Sequence, residues 1–250
     1  MKNELSYTTE KVYKNEKTAE GIYKLEIQGK FKGKPGQFYM LRCWKLEPLL
    51  SRPISIHYLD TNKIVFLYQV VGEGTEKLSK LKTGDEIKLL GPLGNGFDIE
   101  NLKTKTAIIA GGIGIAPMFY LAQSIRKQHE NCKLDLYAGF RDSVYSIDKF
   151  KPFVDDIYIS TETGSQGTKG YVTDEFRPEL YDAVLCCGPE VMMKKVISMC
   201  SKKQVTVYVS MENRMACGVG ACLVCTCSTI KGNKRACKDG PVFLGSDIVL

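Results

Sequence analysis

The chain has 250 residues, of which 44% are hydrophobic and 25% are charged, and its formal net charge is +7. This length is enough for two domains, or for two domains and a small appendage, and the composition is typical of soluble globular proteins. No run of about 18 apolar residues predicts a membrane-spanning helix, and the polar N-terminal residues predict no signal peptide. We therefore expect a cytoplasmic protein.

The net charge of the chain and its cysteine content indicate which binding partners and which kinds of cysteine site to expect. Lysines are spread along the chain and no basic run is interleaved with aromatic residues, so nucleic-acid binding is not expected. The charge fits a solvated surface, attraction for anionic dinucleotides, or an acidic partner subunit. Ten cysteines without a predicted export signal indicate buried or metal-binding thiols rather than disulfides.

Residues 1–100 have the pattern of a small β-barrel. Short apolar stretches at 22–27, 38–43, 54–58, 64–71 and 86–90 alternate with turn signals such as Pro35-Gly36. About six short strands at these intervals predict a closed antiparallel barrel.

Residues 101–210 change to an α/β pattern, and residues 211–250 lack periodicity. A buried strand is expected at 106–110, followed by a helix and by further strands at 134–139, 157–160, 183–187 and 205–210. This alternation predicts a parallel sheet that is covered on both faces. The glycine- and cysteine-rich end of the chain predicts a small domain that a metal centre organises. The expected domains are thus 1–100, 101–210 and 211–250.

Four cysteines form the most specific motif of the chain. The first three have the spacing C-x4-C-x2-C and the fourth follows after a polar stretch, in the order Cys217, Cys222, Cys225 and Cys237. This is the plant-type ligand pattern of a [2Fe–2S] cluster. A structural zinc site is the alternative, but three ligands in one glycine-rich loop favour iron–sulfur over two separated knuckles. For Cys227, two residues after Cys225, we favour a structural role over that of a spare ligand.

Two short segments of the predicted barrel have features of a nucleotide site. Arg52-Pro53-Ile54-Ser55 opens a predicted strand; its forked guanidinium suits a pyrophosphate, and Ser55 could bond a ring nitrogen or oxygen. Gly74 and Thr75 precede a helix expected at 76–82, whose first N–H groups suit a phosphate. Taken singly, the first segment is a weak signal that also fits a strand start with a surface arginine, and the second is better explained as a plain hairpin or turn.

Two further glycine segments follow strands of the predicted parallel sheet. Gly112-x-Gly114-x-x-Pro117 links a strand to a helix, as a dinucleotide loop does, although proline replaces the third glycine. Cys187-Gly188-Pro189 ends a later strand at the carboxyl edge, where ligands bind in such sheets, or it is a simple turn. His57 and His129 belong to no triad pattern and are interpreted as structural or solvated. Residues 212–214 are interpreted as a surface linker, with a cofactor or partner contact as the alternative.

These motifs, together with Pro35-Gly36-Gln37-Phe38 and Gly91-Pro92-Leu93-Gly94, occur in the order seen in the ferredoxin–NADP reductase superfamily. With the cysteine motif, the whole chain resembles the electron-transfer subunits of class 1B dihydroorotate dehydrogenase. The resemblance implies an FAD-binding barrel, an NAD-binding α/β domain and a [2Fe–2S] domain. It implies FAD contacts from Arg52, Pro53, Ile54, Ser55, Leu67, Tyr68, Gln69, Gly74 and Thr75, NAD contacts from Gly111, Gly112, Gly114, Cys187, Gly188 and Pro189, and iron ligation by Cys217, Cys222, Cys225 and Cys237. Gln69 departs from the family pattern, which often has arginine there.

The resemblance also implies a partner and a reaction. A catalytic subunit that contains FMN would oxidise dihydroorotate in an assembly of two copies of each chain, and electrons would pass through [2Fe–2S] and FAD to NAD+ in pyrimidine biosynthesis. The choice of NAD over NADP rests on the resemblance alone. No acidic ligand for the ribose is evident in the sequence, and Arg141 could accept the 2′-phosphate of NADP. The alternatives are a reductase subunit of a transhydrogenase or sulfide-metabolising complex, and a zinc-stabilised nucleotide-binding regulatory module.

Overall fold

The computed structural model describes residues 5–102 and 104–249, and its first part is the predicted antiparallel barrel. Six strands close in the order β1-β2-β5-β4-β3-β6. Their bounds are β1 Ser6–Ala19, β2 Ile22–Gln28, β3 Phe38–Arg42, β4 Arg52–Leu59, β5 Lys63–Gln69 and β6 Glu86–Leu93, and helix α1, Glu73–Ser79, lies between β5 and β6. Alternate side chains of these strands fill the interior with aliphatic and aromatic residues.

Strand β1 is the long element that the apolar pattern did not indicate. Only Val12 is fully buried among its 14 residues, so the segment lacks the alternation that marks a strand. Its backbone pairs with β2 on one side and β6 on the other, which closes the barrel. Hydrogen bonding to two neighbours, rather than apolar burial, therefore stabilises this strand.

The second part of the chain forms most of a seven-stranded sheet in the order β10-β9-β8-β7-β11-β12-β15. The strands are β7 Lys105–Gly111, β8 Lys133–Phe140, β9 Ile157–Thr161, β10 Thr168–Lys169, β11 Ala183–Cys187 and β12 Thr206–Ser210, with helices α2 Ile115–Gln128, α3 Val172–Glu175 and α4 Glu190–Lys202. All neighbours run parallel except β12 and β15. Strand β7 pairs with β8, the next strand in the chain, on one side and with β11 on the other. The strand order reverses at this point, and such a reversal creates a crevice at the carboxyl ends of β7 and β11.

The C-terminal part contains more regular structure than its sequence indicated. The stretch between Cys225 and Cys237, expected to be a polar loop, is a hairpin of β13 (Thr226–Thr229) and β14 (Gly232–Arg235). Strand β15, Val242–Leu244, pairs with β12 and so extends the sheet of the middle part. The fold class is as predicted, while the boundaries at 100/101 and 210/211 stay predictions. Within the described residues, no helix combines the length and the apolarity that a membrane crossing needs.

Candidate functional site

A cavity of about 440 Å³ opens where the three parts of the chain meet. The barrel contributes β3, β4, β5 and the turn around α1; the sheet contributes the first turn of α2; and the C-terminal part contributes 211–215 and Pro241. The residues that line it are Phe38, Arg52, Pro53, Ile54, Ser55, Leu67, Tyr68, Gln69, Val71, Thr75, Ile113, Ala116, Pro117, Ser210, Met211, Glu212, Asn213, Arg214, Met215 and Pro241. Tertiary packing thus brings eight of the nine expected FAD residues to one cavity.

The ninth, Gly74, lies against the side chain of Arg52. A Cβ atom added at Gly74 would lie 2.4 Å from Arg52 Nε, so only glycine lets the guanidinium approach the first turn of α1. On the other side, the Arg52 guanidinium carbon lies 5.5 Å from the centre of the Trp44 ring, within the range of a cation–π contact. The forked cation is thereby held at the cavity edge, where it can bind a pyrophosphate in two-point fashion.

Thr75 shapes the turn beside this arginine. Its hydroxyl accepts hydrogen bonds from the N–H groups of Val71 (2.9 Å) and Gly72 (3.2 Å) and donates to the Gly72 carbonyl at 2.9 Å. These bonds favour a helix start at Glu73. The helix runs from Glu73 to Ser79, so the expected span of 76–82 is wrong by about one turn. Thr75 therefore fixes the backbone at the cavity rim.

The Leu67-Tyr68-Gln69 segment lines the cavity mainly as a wall. Leu67 and Tyr68 are 2% and 1% exposed, and the Tyr68 hydroxyl hydrogen-bonds Asn15 Oδ1 at 3.2 Å inside the barrel. Both residues are thus buried in the protein interior and border the cavity with little exposed surface. Gln69, at the end of β5, is exposed at the rim.

The expected NAD residues converge at the crevice between β7 and β11. Gly114 approaches so closely that an added Cβ atom would lie 2.4 Å from the Cys187 carbonyl oxygen. Cβ atoms added at Gly111 and Gly188 would lie 2.7 Å from Pro189 Cδ and 2.8 Å from Gly111 N. The two glycine segments therefore pack backbone to backbone, the arrangement that lets a dinucleotide approach the start of a helix. Gly112, at φ +53, makes the turn between them.

Glu212, Asn213 and Arg214 line the cavity, which favours a cofactor contact, the alternative interpretation of 212–214, over a plain surface linker. Glu212 is exposed at this cavity. Cys187 Sγ lies 3.8 Å from Glu212 Oε1. Burial raises the pKa of the Glu212 carboxyl, an effect that the Cys187 contact opposes, and burial next to Glu212 raises the pKa of the Cys187 thiol well above its usual range. Pairing of β12 with β15, a long-range contact, positions this segment.

His57 joins the flavin strand to the dinucleotide helix. It is 2% exposed on β4, and its Nδ1 lies 2.8 Å from the Ala116 carbonyl oxygen in the first turn of α2. The ring also stacks on Phe119, with centroids 5.0 Å apart. Burial, only partly offset by the bond to Ala116, lowers the pKa of His57 to about 4, so the ring is neutral at physiological pH. The structural role expected for this histidine fits these contacts.

The four motif cysteines form two pairs. Cys217 interacts with Cys222 and Cys225 interacts with Cys237, while among the described residues no three His, Cys, Asp or Glu side chains converge as a site for a single ion. Backbone N–H groups point at the sulfurs: Ala221 N lies 3.3 Å from Cys217 Sγ, and Cys237 N lies 3.4 Å from Cys225 Sγ. Two pairs of thiols with N–H donors fit a two-iron cluster, in which each iron takes two thiolates.

The charge state of Cys217 also fits this ligand role. Burial raises the pKa of its thiol, but hydrogen bonds from the backbone of Cys222, Val219 and Ala221 and from the Cys222 side chain outweigh burial and lower the pKa to about 6. At neutral pH this sulfur is mainly a thiolate, the form that ligates iron.

The cysteine loop packs directly on the barrel. Cys225 and Cys237 are buried with Phe38, Met40 and Leu93 in one apolar cluster, and a Cβ atom at Gly218 would lie 2.8 Å from Met40 Cγ. Phe38 and Met215, which belong to this cluster or pack against it, also line the cavity. Phe38 and Met215 therefore connect the apolar cluster around the cysteines with the cavity.

Cys227 stands apart from the ligand set. It is buried on β13, and its thiol lies 3.4 Å from the carbonyl oxygen of Lys234, its partner across the hairpin. This contact supports the structural role.

Comparison with known proteins places these features in a family. A model described as "Iron-sulfur cluster binding domain of dihydroorotate dehydrogenase B" matches residues 212–249, and one described as "Oxidoreductase NAD-binding domain" matches residues 108–198. The "Dihydroorotate dehydrogenase B (NAD(+)), electron transfer subunit" of Clostridium acetobutylicum is 60% identical over 98% of both chains. The subunit of the same name from Clostridium perfringens is 50% identical, again over 98% of both chains.

Among solved structures, one described as "Insights into flavin-based electron bifurcation via the NADH-dependent reduced ferredoxin-NADP oxidoreductase structure" superposes with a TM-score of 0.85. It is 29% identical and covers 96% of this chain and 89% of that chain. The full-length similarity to the Clostridium proteins is much the stronger of the two. The chain belongs to the family of dihydroorotate dehydrogenase B (NAD(+)) electron transfer subunits.

Proposed function

We propose that this chain is the oxidoreductase component that carries electrons from a dihydroorotate-oxidising catalytic subunit to NAD+, a step of pyrimidine biosynthesis. The observation that carries the proposal is the cavity whose wall is shared by the flavin strand, the dinucleotide helix and the segment leading to the cysteines. The flavin strand, the start of the dinucleotide helix and the segment that leads to the cysteines thus meet at one cavity. Identity of 60% across the whole chain supports the same assignment.

The cofactors are FAD, a [2Fe–2S] cluster and NAD. When bound, FAD exchanges electrons singly or in pairs, the cluster exchanges one at a time, and NAD accepts a hydride. The chain's residues position these groups. In the proposal, Arg52 binds the flavin pyrophosphate and β4 and β5 hold the ring, while Cys217, Cys222, Cys225 and Cys237 ligate the two irons.

The NAD site is proposed to lie next to the cavity, at Gly111–Gly114 and Cys187–Pro189, of which only Ile113 lines the cavity itself. Close packing of their glycines leaves the start of α2 open to a dinucleotide. The Cys187 thiol lies at the end of this crevice, next to the Glu212 carboxyl. Glu212 lines the cavity together with the flavin strand. The polar atoms of Cys187 and Glu212 are the groups that would orient a nicotinamide against the flavin. The bond from His57 to Ala116 keeps the two walls in register.

We propose that the partner docks over the cysteine loop. Cys222 is exposed, and so are the apolar side chains of Val219, Leu223 and Val224 in the same loop. Ile230, at the turn of the β13–β14 hairpin in the same C-terminal part, is exposed as well. Leu223 has φ +61, a conformation that costs a non-glycine residue roughly 1–2 kcal/mol. An apolar patch of this kind at the point where electrons leave the chain suits a protein interface.

The proposal includes an FMN-containing partner, two copies of each chain and a cytoplasmic location. Co-expression with the dihydroorotate dehydrogenase catalytic chain of the same organism tests the assembly. We expect a complex of two plus two chains that reduces NAD+ with dihydroorotate and contains FMN, FAD and iron. Leu223→Asp should weaken the complex, whereas Leu180→Asp, an exposed leucine on the α/β part, should leave it intact.

Absorption spectroscopy and metal analysis of the anaerobically purified chain separate this proposal from its alternatives. We expect a flavin band, a broad iron–sulfur shoulder and about two irons per chain. Stoichiometric zinc with no flavin would instead indicate the regulatory module. A holoprotein that carries both cofactors but forms no dihydroorotate-oxidising complex would indicate a transhydrogenase-type or sulfide-metabolising reductase.

A further inference from the structure

One side chain, Arg235, connects the two segments that bear the cysteines. Three of the cysteines lie in the 217–225 loop, whereas Cys237 follows strand β14, which Arg235 ends. Arg235 Nη1 donates to the carbonyl oxygen of Gly220 at 3.1 Å. Gly220, at φ +83, lies between Cys217 and Cys222. The Arg235 side chain thus bonds the loop that carries the first three cysteines, whereas the Arg235 backbone begins the turn that carries Cys237.

The other face of the same guanidinium binds Asp239 in two-point fashion. Nε lies 3.0 Å from Asp239 Oδ2, and Nη2 lies 3.1 Å from Oδ1. The backbone N–H of Arg235 also donates to Asp239 Oδ2, at 2.8 Å. Both side chains are partly buried, at 31% and 27% exposure. Fork-to-fork pairing of this kind fixes geometry as well as charge.

Asp239 belongs to a tightly wound turn that is tied to the barrel. The N–H groups of Lys238, Asp239 and Gly240 all bond the Arg235 carbonyl oxygen, at 3.1, 2.8 and 3.2 Å. The Asn95 amide donates to the carbonyls of Lys238 and Asp239, at 3.1 Å each. Backbone hydrogen bonds and the Asn95 amide thus hold this turn in addition to the pair of Arg235 and Asp239.

Both charges lie close to the cysteine segments. Arg235 Nη1 bonds the carbonyl oxygen of Gly220, between Cys217 and Cys222, and Arg235 and Asp239 each stand two residues from Cys237 in the chain. A thiolate-ligated [2Fe–2S] centre is anionic and gains one more negative charge on reduction, so nearby charges and hydrogen bonds set its potential. A cation at this place favours the reduced state, and a carboxylate opposes it.

We propose that Arg235 is a positioning residue that joins the two cysteine segments, and that the two charges of its ion pair with Asp239 shift the reduction potential of the cluster in opposite directions and offset each other. The inference rests on the proposed iron–sulfur role of the four cysteines. It goes beyond that role in assigning opposite effects on the potential to two residues beside the cluster. Neither residue ligates iron.

A redox titration of the anaerobically purified holoprotein tests the inference, with the cluster followed by its electron paramagnetic resonance signal. Arg235→Gln leaves the Asp239 carboxylate unbalanced, so the midpoint potential should fall. Asp239→Asn leaves the guanidinium unbalanced, so the potential should rise. The double variant should return close to the starting value, since both charges are removed together.

Lys231→Gln is the matched control, because Lys231 forms a 2.8 Å ion pair with Asp247 in the same C-terminal part but bonds neither cysteine segment. Its potential should not change. If Arg235→Gln loses iron, Asp239→Asn carries the electrostatic test, and retention of iron by Arg235→Lys then confirms the cationic link.

Potentials that stay constant, or that move in the same direction in both single variants, would overturn the inference while the wild-type cluster remains intact. Failure of the proposed function has a different signature, because the wild-type protein itself would then lack iron and the resonance signal.

Discussion

Protonation of His57 should limit the acid stability of this protein. The ring is fully buried between β4 and α2, and its pKa falls from 6.5 to about 4 in the folded state. The unfolded chain therefore binds a proton at a higher pH than the folded one. The stability that depends on the neutral ring is fully present above about pH 6.5 and is lost as the pH falls toward 4.

The size of the effect follows from the shift. A change from 6.5 to about 4 is about 2.5 units, which at 1.36 kcal/mol per unit corresponds to about 3 kcal/mol between pH 7 and pH 4. This is a large fraction of the 5–15 kcal/mol, roughly, that stabilises a typical domain. Other groups also titrate in this range, so the comparison needs a variant that removes only this one.

His57→Asn is that variant, because its side-chain amide can occupy the place of Nδ1 and still donate to the Ala116 carbonyl. Urea unfolding is followed through Trp44, the only tryptophan, which lies in the barrel. We expect the variant to be less stable at pH 7, because the stacking on Phe119 is lost, and the difference from wild type to shrink by about 3 kcal/mol at pH 4. Parallel pH profiles for the two proteins would refute the reasoning.

Four further outcomes test the site. Cys222→Ser should lose iron but keep FAD, measured by metal analysis and flavin absorbance, since the barrel has its own core; loss of both would show that the two sites are coupled. Arg52→Gln should weaken FAD binding roughly tenfold or more, as expected for a charged hydrogen bond, and an unchanged flavin dissociation constant would exclude the pyrophosphate role. Gly114→Ala should slow flavin reduction by NADH while flavin content is kept, because its Cβ would lie 2.4 Å from the Cys187 carbonyl; a wild-type rate would contradict close packing at the crevice. NADH should reduce the flavin faster than NADPH, and the reverse order would reassign the nicotinamide preference.

The motifs that were readable in the sequence are local. The C-x4-C-x2-C spacing identifies a cluster loop because its three ligands lie within nine residues of chain. The strand, turn and helix around Gly111–Gly114 follow from periodicity and glycine content over about 20 residues. Both features depend on neighbours in sequence, so one chain is enough to recognise them.

Long-range pairing decided what the sequence pattern could not. Strand β1 buries little and owes its position to hydrogen bonds with β2 and β6, which leave no apolar signal. Glu212 resembled part of a linker, yet pairing of β12 with β15 places it in the cavity beside Cys187. The bond of His57 to Ala116 and that of Arg235 to Gly220 join residues 59 and 15 positions apart. The sequence by itself thus determined the chemistry of each segment, whereas the tertiary structure alone determined which segments share one site, because strand pairing and packing act between residues that are distant in the chain.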